Sequence, residues 1–228
     1  MSIREREVVI DSQKYVIGQA VQRNRDHFTS PASKRGLDLF CATAGLIALT
    51  PLFILIAILI KLEDPRAPVF FSQVRVGKDG KLFRMYKFRS MLIRAEEMLQ
   101  PLIHKNEVQG AMFKIKNDPR ITKVGRWIRK LSIDELPQLW NVFKGDMSMV
   151  GPRPPLPREV QQYTAYDLQR LVVTPGCTGL WQVSGRNNVG FKDMVEMDLK
   201  YISERSFMSD VIILLKTVRL FFGSKDAF

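Results

Sequence analysis

From Leu39 to Ile60 the chain runs for twenty-two residues without a charge, LFCATAGLIALTPLFILIAILI. A stretch of that length passes the roughly 18 residues that mark a membrane-helix candidate, although a water-soluble domain can bury a helix this apolar. It starts too late for an ordinary signal peptide, and no small-residue cleavage site follows it. Lys34 and Arg35 precede the run and Lys61 and Arg66 follow it, so the flanking charge does not orient a crossing. Pro51 sits near its midpoint. A proline there removes an amide donor and clashes with the carbonyl four residues back, which predicts a kink. The adjacent Thr50 hydroxyl can satisfy a freed backbone group. Two topologies fit these residues: a spanning helix with a tolerated proline, or a helix-break-helix that returns to the side it entered.

Lys and Arg number 35 against 23 Asp and Glu, a net charge of +12. Such a balance suits nucleic acid, anionic lipid headgroups or phosphorylated small molecules as partners. No helix-turn-helix, RNA-binding module or zinc finger pattern favours nucleic acid. Cys41 and Cys177 lie far apart, and His27 and His104 are the only histidines. A disulfide framework and a His/Cys zinc cluster are therefore not expected, and any metal would be a hard ion on carboxylates and phosphates.

The residues before position 37 are polar and read as loop or short strand. Beyond the apolar run, the Pro-rich segment 64–68 reads as a loop at the interface. Residues 69–88 have strand-forming halves around Lys78-Asp79-Gly80, a strong hairpin signal. Their basic residues, among them Arg75 and Lys78, read mostly as a solvated face, some of it set against lipid phosphates. The spacing of Leu92, Ala95, Met98 and Leu99 predicts a helix over 91–103, ended or bent at Pro101. The segment ITKVGRWIRKL places Val124, Trp127, Ile128 and Leu131 on one side of a short amphipathic helix. Residues 191–205 read as another. The run MSDVIILLKTVRLFF is too short for a comfortable span and reads as an interfacial helix, with Lys216 and Arg219 near lipid phosphates.

Asp134 and Glu135 form the most suggestive polar pair. Pro137 suits a first helical turn, which puts both carboxylates at or just before a helix running towards Phe143, with Gly145 as its terminator. A phosphate brought there would meet free amides and the positive end of the helix dipole. Helix capping alone would also explain the pair. Gly151-Pro152-Arg153-Pro154-Pro155 follows; its prolines fix the backbone and can hold the Arg153 guanidinium ready for phosphate oxygens. Asp118 reads as a turn residue with Asn117, Asp146 as a loop cap, and Cys177 as a bystander without an activating base.

Four long motifs in order resemble the bacterial sugar transferase family, the monotopic polyprenyl-phosphate phosphoglycosyl transferases. They are KRGLDLF with the proline-interrupted run, FFSQVRVGKDGKLFRMYKFRSM, NDPRITKVGRWIRKLSIDELPQLWNVFKGDMSMVGPRP and TPGCTGLWQVSGRN, covering most of residues 34–188. The resemblance implies an α+β, predominantly helical monotopic membrane protein with a re-entrant helix-break-helix anchor, a small β-hairpin and interfacial amphipathic helices. It implies transfer of a sugar 1-phosphate from a UDP-sugar to undecaprenyl phosphate, with release of UMP, to begin a surface polysaccharide. Asp134 then matches the nucleophile, and Glu135 the residue that helps hold Mg2+. Arg129 and Arg153 match basic positions around the phosphates; Lys87, Arg89 and Arg186 are further substrate-contact candidates. The expected organisation is an extension at 1–33, a re-entrant helix at 34–64 and a cytoplasmic catalytic domain at 65–228, the minimal catalytic form of the family. The expected site of action is the cytoplasmic face of a bacterial inner membrane, against anionic lipids, and a homodimer would be unsurprising. The WQVSGRN form points towards glucose or galactose, with N-acetylated amino or diamino sugars as the alternative. A nonenzymatic basic adaptor for anionic lipid or nucleic acid is the rival from another class.

Overall fold

The computed structural model describes residues 31–98, 100–105, 115, 118–185 and 190–223. Helix α1 covers Pro31–Ala48 and α2 covers Thr50–Glu63. Residues 31–36 are therefore helical rather than loop, and Pro31 opens the helix, a position where a missing amide donor is harmless. The apolar run bends by 57° between the two helices. The ladder still carries Leu49 N–H to Gly45 O and Phe53 N–H to Leu49 O, each at 2.9 Å. Thr50 Oγ1 donates to Leu46 O at 2.8 Å, the local support expected beside Pro51. Among the described residues no single helix is long and apolar enough to cross a membrane, whereas this bent pair qualifies jointly by length and composition. Phe40, Ile47, Ile54, Ile58 and Leu62 stay exposed along it. The arrangement is predominantly helical, with a bent pair of re-entrant form and a small hairpin.

Strands β1 (Phe70–Val76) and β2 (Leu82–Phe88) make the expected antiparallel hairpin, with Phe70 opposite Phe88 and Val76 opposite Leu82. Its turn, Lys78–Gly80, puts Asp79 and Gly80 at positive φ, the geometry for which an Asp-Gly step is suited. Helix α3 (Lys123–Lys130) follows, capped by Thr122 Oγ1 accepting from Gly125 N at 2.9 Å. Ile128 is buried and Trp127 exposed. Next come α4 (Gln138–Lys144), β3 (Ser148–Val150), the short α5 (Pro157–Val160) and β4 (Gly176–Thr178). β3 and β4 are parallel, a pairing of three-residue strands with no sequence period to announce it. Helices α6 (Leu180–Gly185), α7 (Phe191–Glu204) and α8 (Phe207–Gly223) complete the chain.

Among the described residues of 91–103 the expected helix does not form. Met91 bridges Ile121, Leu92 N–H donates to Arg120 O, and Thr122 N–H donates to Ser90 O. These long-range bonds hold the segment extended at its start; turns and a 3-10 stretch, Gln100–Lys105, follow. Tertiary pairing overrides the local helical spacing. Asp118 is buried against Arg120 at 2.6 Å, a structural ion pair; Asn117 lies outside the described residues.

Three apolar clusters place the site. Ala42 of α1 meets Met85, Val142 and Met147. Ile56 and Ile60 of α2 meet Phe88 and Ile128. The largest joins Val76, Val150, Leu171 and Val172 to Tyr201, Ile202 and Ile213. Each arm of the bent pair thus packs on a different flank of the body. On α8, Asp210 and Ile213 face inward while Met208, Ile212, Leu215 and Val218 stay exposed, an apolar outer stripe of the kind that an interfacial helix carries.

Candidate active site

Ser132 leaves α3 in the left-handed region at φ 53° and starts a 3-10 turn, Ile133–Glu135. Leu136 and Pro137 then lead into α4, so the acidic pair stands just before that helix as expected. Gly145 closes it at φ 92°, where a side chain would be strained.

The two carboxylates occupy unlike surroundings. Asp134 is buried, and its carboxyl is pushed up to about 6, first by desolvation and then by the Glu135 charge, against the pull of Lys87 and Arg129. The Glu135 side chain is 47% exposed and accepts from Lys87 Nζ at 2.6 Å. Partial desolvation pushes Glu135 up too, but the Lys87 charge and hydrogen bond, with Arg153 and Arg75 behind them, hold it below its ordinary range. Neighbouring carboxylates held apart in this way suit different tasks.

Lys87 reaches the pair from β2. That strand is tied to α4 by Asn141, fully buried: its Oδ1 accepts from Tyr86 N at 3.0 Å and its Nδ2 donates to Arg84 O at 2.6 Å. Arg129 acts on Asp134 from the last turn of α3. Arg153 donates to Glu159 Oε2 at 3.4 Å, and its charge reaches Glu135. Arg89 is engaged elsewhere: its Nε donates to Pro68 O at 2.9 Å and its guanidinium lies over Phe71. Arg186 lies outside the described residues.

Arg75 is buried rather than solvated. It donates to Pro154 O at 3.0 Å and Gln73 Oε1 at 2.8 Å, while its Nε is buried without a partner. Burial and then the Arg153 charge lower it to about 10. Arg170 is buried as well, paired with Asp198, donating to Tyr163 Oη at 3.0 Å and to Arg153 O at 3.3 Å. Neither stood out among so many surface cations. No period in the sequence marked Arg75: it and Val76 are two successive buried residues, which the alternation of a half-exposed hairpin does not announce.

Gly151-Pro152-Arg153 is held from all sides. Gly176 N–H donates to Pro152 O, Gly151 N–H to Thr178 O and Val76 N–H to Pro155 O, each at 2.9 Å. A Cβ on Gly176 would lie 2.1 Å from Gly151 N, so only glycine admits this approach. Cys177 sits beside it with its thiol pushed up by burial and by the Glu135 and Asp38 charges, unfit as a nucleophile. Asp146 accepts from Lys144 and Asn141, as a loop cap would.

No group of three or more His, Cys, Asp or Glu side chains is placed to hold a metal among the described residues. One carboxylate with substrate phosphates and water is nevertheless an ordinary magnesium environment, and Glu135 fits that donor set with the oxygen that Lys87 leaves free.

Related proteins carry the same segment. The galactosyl transferase CpsE of Streptococcus agalactiae serotype III (strain NEM316) is 47% identical over 189 residues, 82% of this chain and 42% of that protein. The undecaprenyl-phosphate galactose phosphotransferase of Salmonella typhimurium is 44% identical over 204 residues, 88% of this chain and 42% of its own. The exopolysaccharide production protein ExoY of Rhizobium meliloti is 41% identical over 190 residues, covering 82% of this chain and 84% of ExoY. The chain thus spans less than half the length of the first two relatives and most of the third. The profile described as bacterial sugar transferase matches residues 29–224, and with the acidic turn and the bent pair in place, the chain belongs to the bacterial sugar transferase family.

Proposed function

We propose that this chain transfers a hexose 1-phosphate from a UDP-sugar to undecaprenyl phosphate through a covalent intermediate on Asp134. The observation that carries this reading is the buried Asp134 carboxyl, raised to about 6 beside a cation-held Glu135. Near neutral pH the Asp134 carboxylate is ionised and more basic than usual, which suits a nucleophile. Its oxygen attacks the sugar-bearing phosphorus, the bond from that phosphorus to the bridging oxygen breaks, and UMP leaves with the electron pair. An oxygen of undecaprenyl phosphate then attacks the same phosphorus and the bond to Asp134 breaks, returning the carboxylate. No bond to the anomeric carbon breaks, so its configuration is kept. Lys87, Arg129 and Arg153 hold phosphate oxygens and offset their charge; Arg89 is oriented by Pro68 and Phe71, which suits a contact at the lipid edge. Arg186 completes the set of substrate-contact candidates. Glu135 would hold Mg2+, which when bound offsets charge on the diphosphate and the departing UMP.

UDP-sugars are cytoplasmic, so the reading puts residues 65–228 on the cytoplasmic face, with residues 34–64 as a re-entrant arm and 1–33 as an extension on the same side. Anionic lipids meet the exposed cations of α8, Lys216 and Arg219. The names of the first two relatives favour galactose as the sugar. A panel of UDP-galactose, UDP-glucose and their N-acetylated counterparts, with undecaprenyl phosphate and Mg2+, tests the reading by UMP release and lipid-linked sugar. UDP-galactose is expected to give both products; no turnover with any sugar would overturn the proposal.

A further inference from the structure

The first turns of α1 reach into the body at one strand. Asp38 is 4% exposed, on a helix whose other side is apolar and open. Its Oδ1 accepts from Met149 N at 2.8 Å and lies 2.9 Å from Ser148 Oγ. The single Ser148 hydroxyl proton is shared between that carboxylate and Val150 O at 3.0 Å. One turn earlier, Lys34 Nζ donates to Val150 O at 3.0 Å and to Asp210 Oδ2 at 2.7 Å. The Tyr201 hydroxyl closes the group, 2.7 Å from Asp210 Oδ1 and 3.1 Å from Val150 O.

Ser148, Met149 and Val150 are the whole of β3, and the arginine turn starts at the next residue. β3 pairs with β4 at two register positions, with Ser148 N–H to Pro175 O at 2.8 Å and Gly151 N–H to Thr178 O at 2.9 Å flanking them, and among the described residues no strand covers its other edge. Burying a carboxylate and partly burying an ammonium is costly unless their hydrogen bonds are met; an apolar contact would hold α1 on the body without that penalty. What these charges add is direction, because they fix the backbone of β3 relative to the membrane arm.

We propose that Asp38 and Lys34 are positioning residues for Arg153: the arm seated in the membrane sets β3, and β3 sets the phosphate-binding guanidinium. The inference rests on the substrate role given to Arg153 above. It makes the anchor a working part of the site, so that leaving the bilayer and losing phosphate affinity go together.

A double-mutant cycle on full-length protein in lipid nanodiscs tests it, with the Kd for UDP in Mg2+ as the readout. Asp38→Ala is expected to weaken UDP about tenfold with membrane partitioning retained. Asp38→Asn, which keeps an acceptor for Met149 N–H, should recover part of that loss. In the Arg153→Ala background, Asp38→Ala should change Kd less than twofold. Thr217→Val, which removes the 2.8 Å contact between the Thr217 and Thr178 hydroxyls, disturbs packing on β4, the partner strand of β3, with the Asp38 contacts intact, and should leave Kd within twofold of wild type. If Asp38→Ala fails to fold, Ser148→Ala enters the cycle instead. Multiplicative losses with a damaging Arg153→Ala would overturn this inference alone. An Arg153→Ala that binds UDP like wild type would overturn the role of Arg153 and this inference together.

Discussion

The acidic turn and the arginine turn lie on the two sides of α4 and are built on opposite principles. At Gly151–Pro155 the carbonyls of Pro152, Arg153, Pro154 and Pro155 each receive a donor, from Gly176, Arg170, Arg75 and Val76. At Ile133–Glu135 the backbone bonds are local to the turn, Glu135 N–H to Ser132 O and Leu136 N–H to Ile133 O, and the lead-in residue is left-handed. There the charges oppose one another: Asp134 is desolvated and stands next to Glu135. One region spends its interactions on fixing a guanidinium in space. The other keeps a carboxylate in a state that costs stability. If Arg153 binds phosphate and Asp134 reacts, as proposed, a stiff binding element stands beside a strained reactive one, which is what preorganised phosphoryl transfer needs.

Asp134→Asn should break the contrast most sharply. Turnover should fall by on the order of 10³-fold or more if the carboxylate is the nucleophile, while the fold gains stability. The sign follows from the raised value: folded Asp134 titrates at about 6 against an ordinary 3.8. Its stabilising contribution is present below the ordinary value and lost as pH rises through the folded one. At pH 7.5 the amide should therefore melt higher by on the order of 1–3 kcal/mol, and the gap should close near pH 4. A destabilised Asn variant at pH 7.5 would contradict the electrostatic picture.

Arg153→Ala comes next, with kcat/KM expected to drop about 100-fold, equivalent to roughly 3 kcal/mol for a charge-assisted phosphate contact. In metal-free, substrate-free protein the Asp134 carboxyl, followed through the pH dependence of the stability gap to Asp134→Asn, should titrate at about 6. Glu135→Gln should move that titration downward, because the lost negative charge is one of the causes that raise Asp134. An unmoved titration would mean that another group is responsible. Asn141→Leu removes the link between α4 and β2 and should cost about 1–3 kcal/mol in chemical denaturation, having stranded the Tyr86 amide and the Arg84 carbonyl. The smallest effect belongs to Lys78→Ala at the hairpin tip, expected within twofold in turnover, since the residue is an exposed cation in a turn. A loss there as large as that of Arg153→Ala would erase the distinction between a constrained guanidinium and a solvated cation.

Where local chemistry dominates, the sequence was readable. The kink at Pro51, the hairpin at Asp79-Gly80 and the placement of Asp134 and Glu135 before α4 each follow from one or two residues with a strong backbone preference, and α3 follows from the spacing of Val124, Trp127, Ile128 and Leu131. What was hidden depends on distance. The stretch after Met91 has helical spacing but is claimed by Ile121 and Arg120. Arg75 and Arg170 look like surface cations until the fold closes over them. Asn141 had a faint mark, an amide in the apolar context LWNVF, where a polar residue is unfavourable unless something is bonded to it. Asp38 bore none, because its partners are more than a hundred residues away. The residues proposed to react could be picked out from the family motif, but those that hold them could not.

In the proposed reaction Asp134 itself carries the sugar phosphate. Full-length protein incubated with UDP-galactose and Mg2+, without undecaprenyl phosphate, and quenched in acid would be measured by intact mass and peptide mapping. A gain of one hexose phosphate is expected, mapped to Asp134, lost on adding undecaprenyl phosphate and absent in Asp134→Asn. Lipid-linked sugar formed at full rate by the Asn variant, or an adduct reproducibly mapped to another residue, would contradict it.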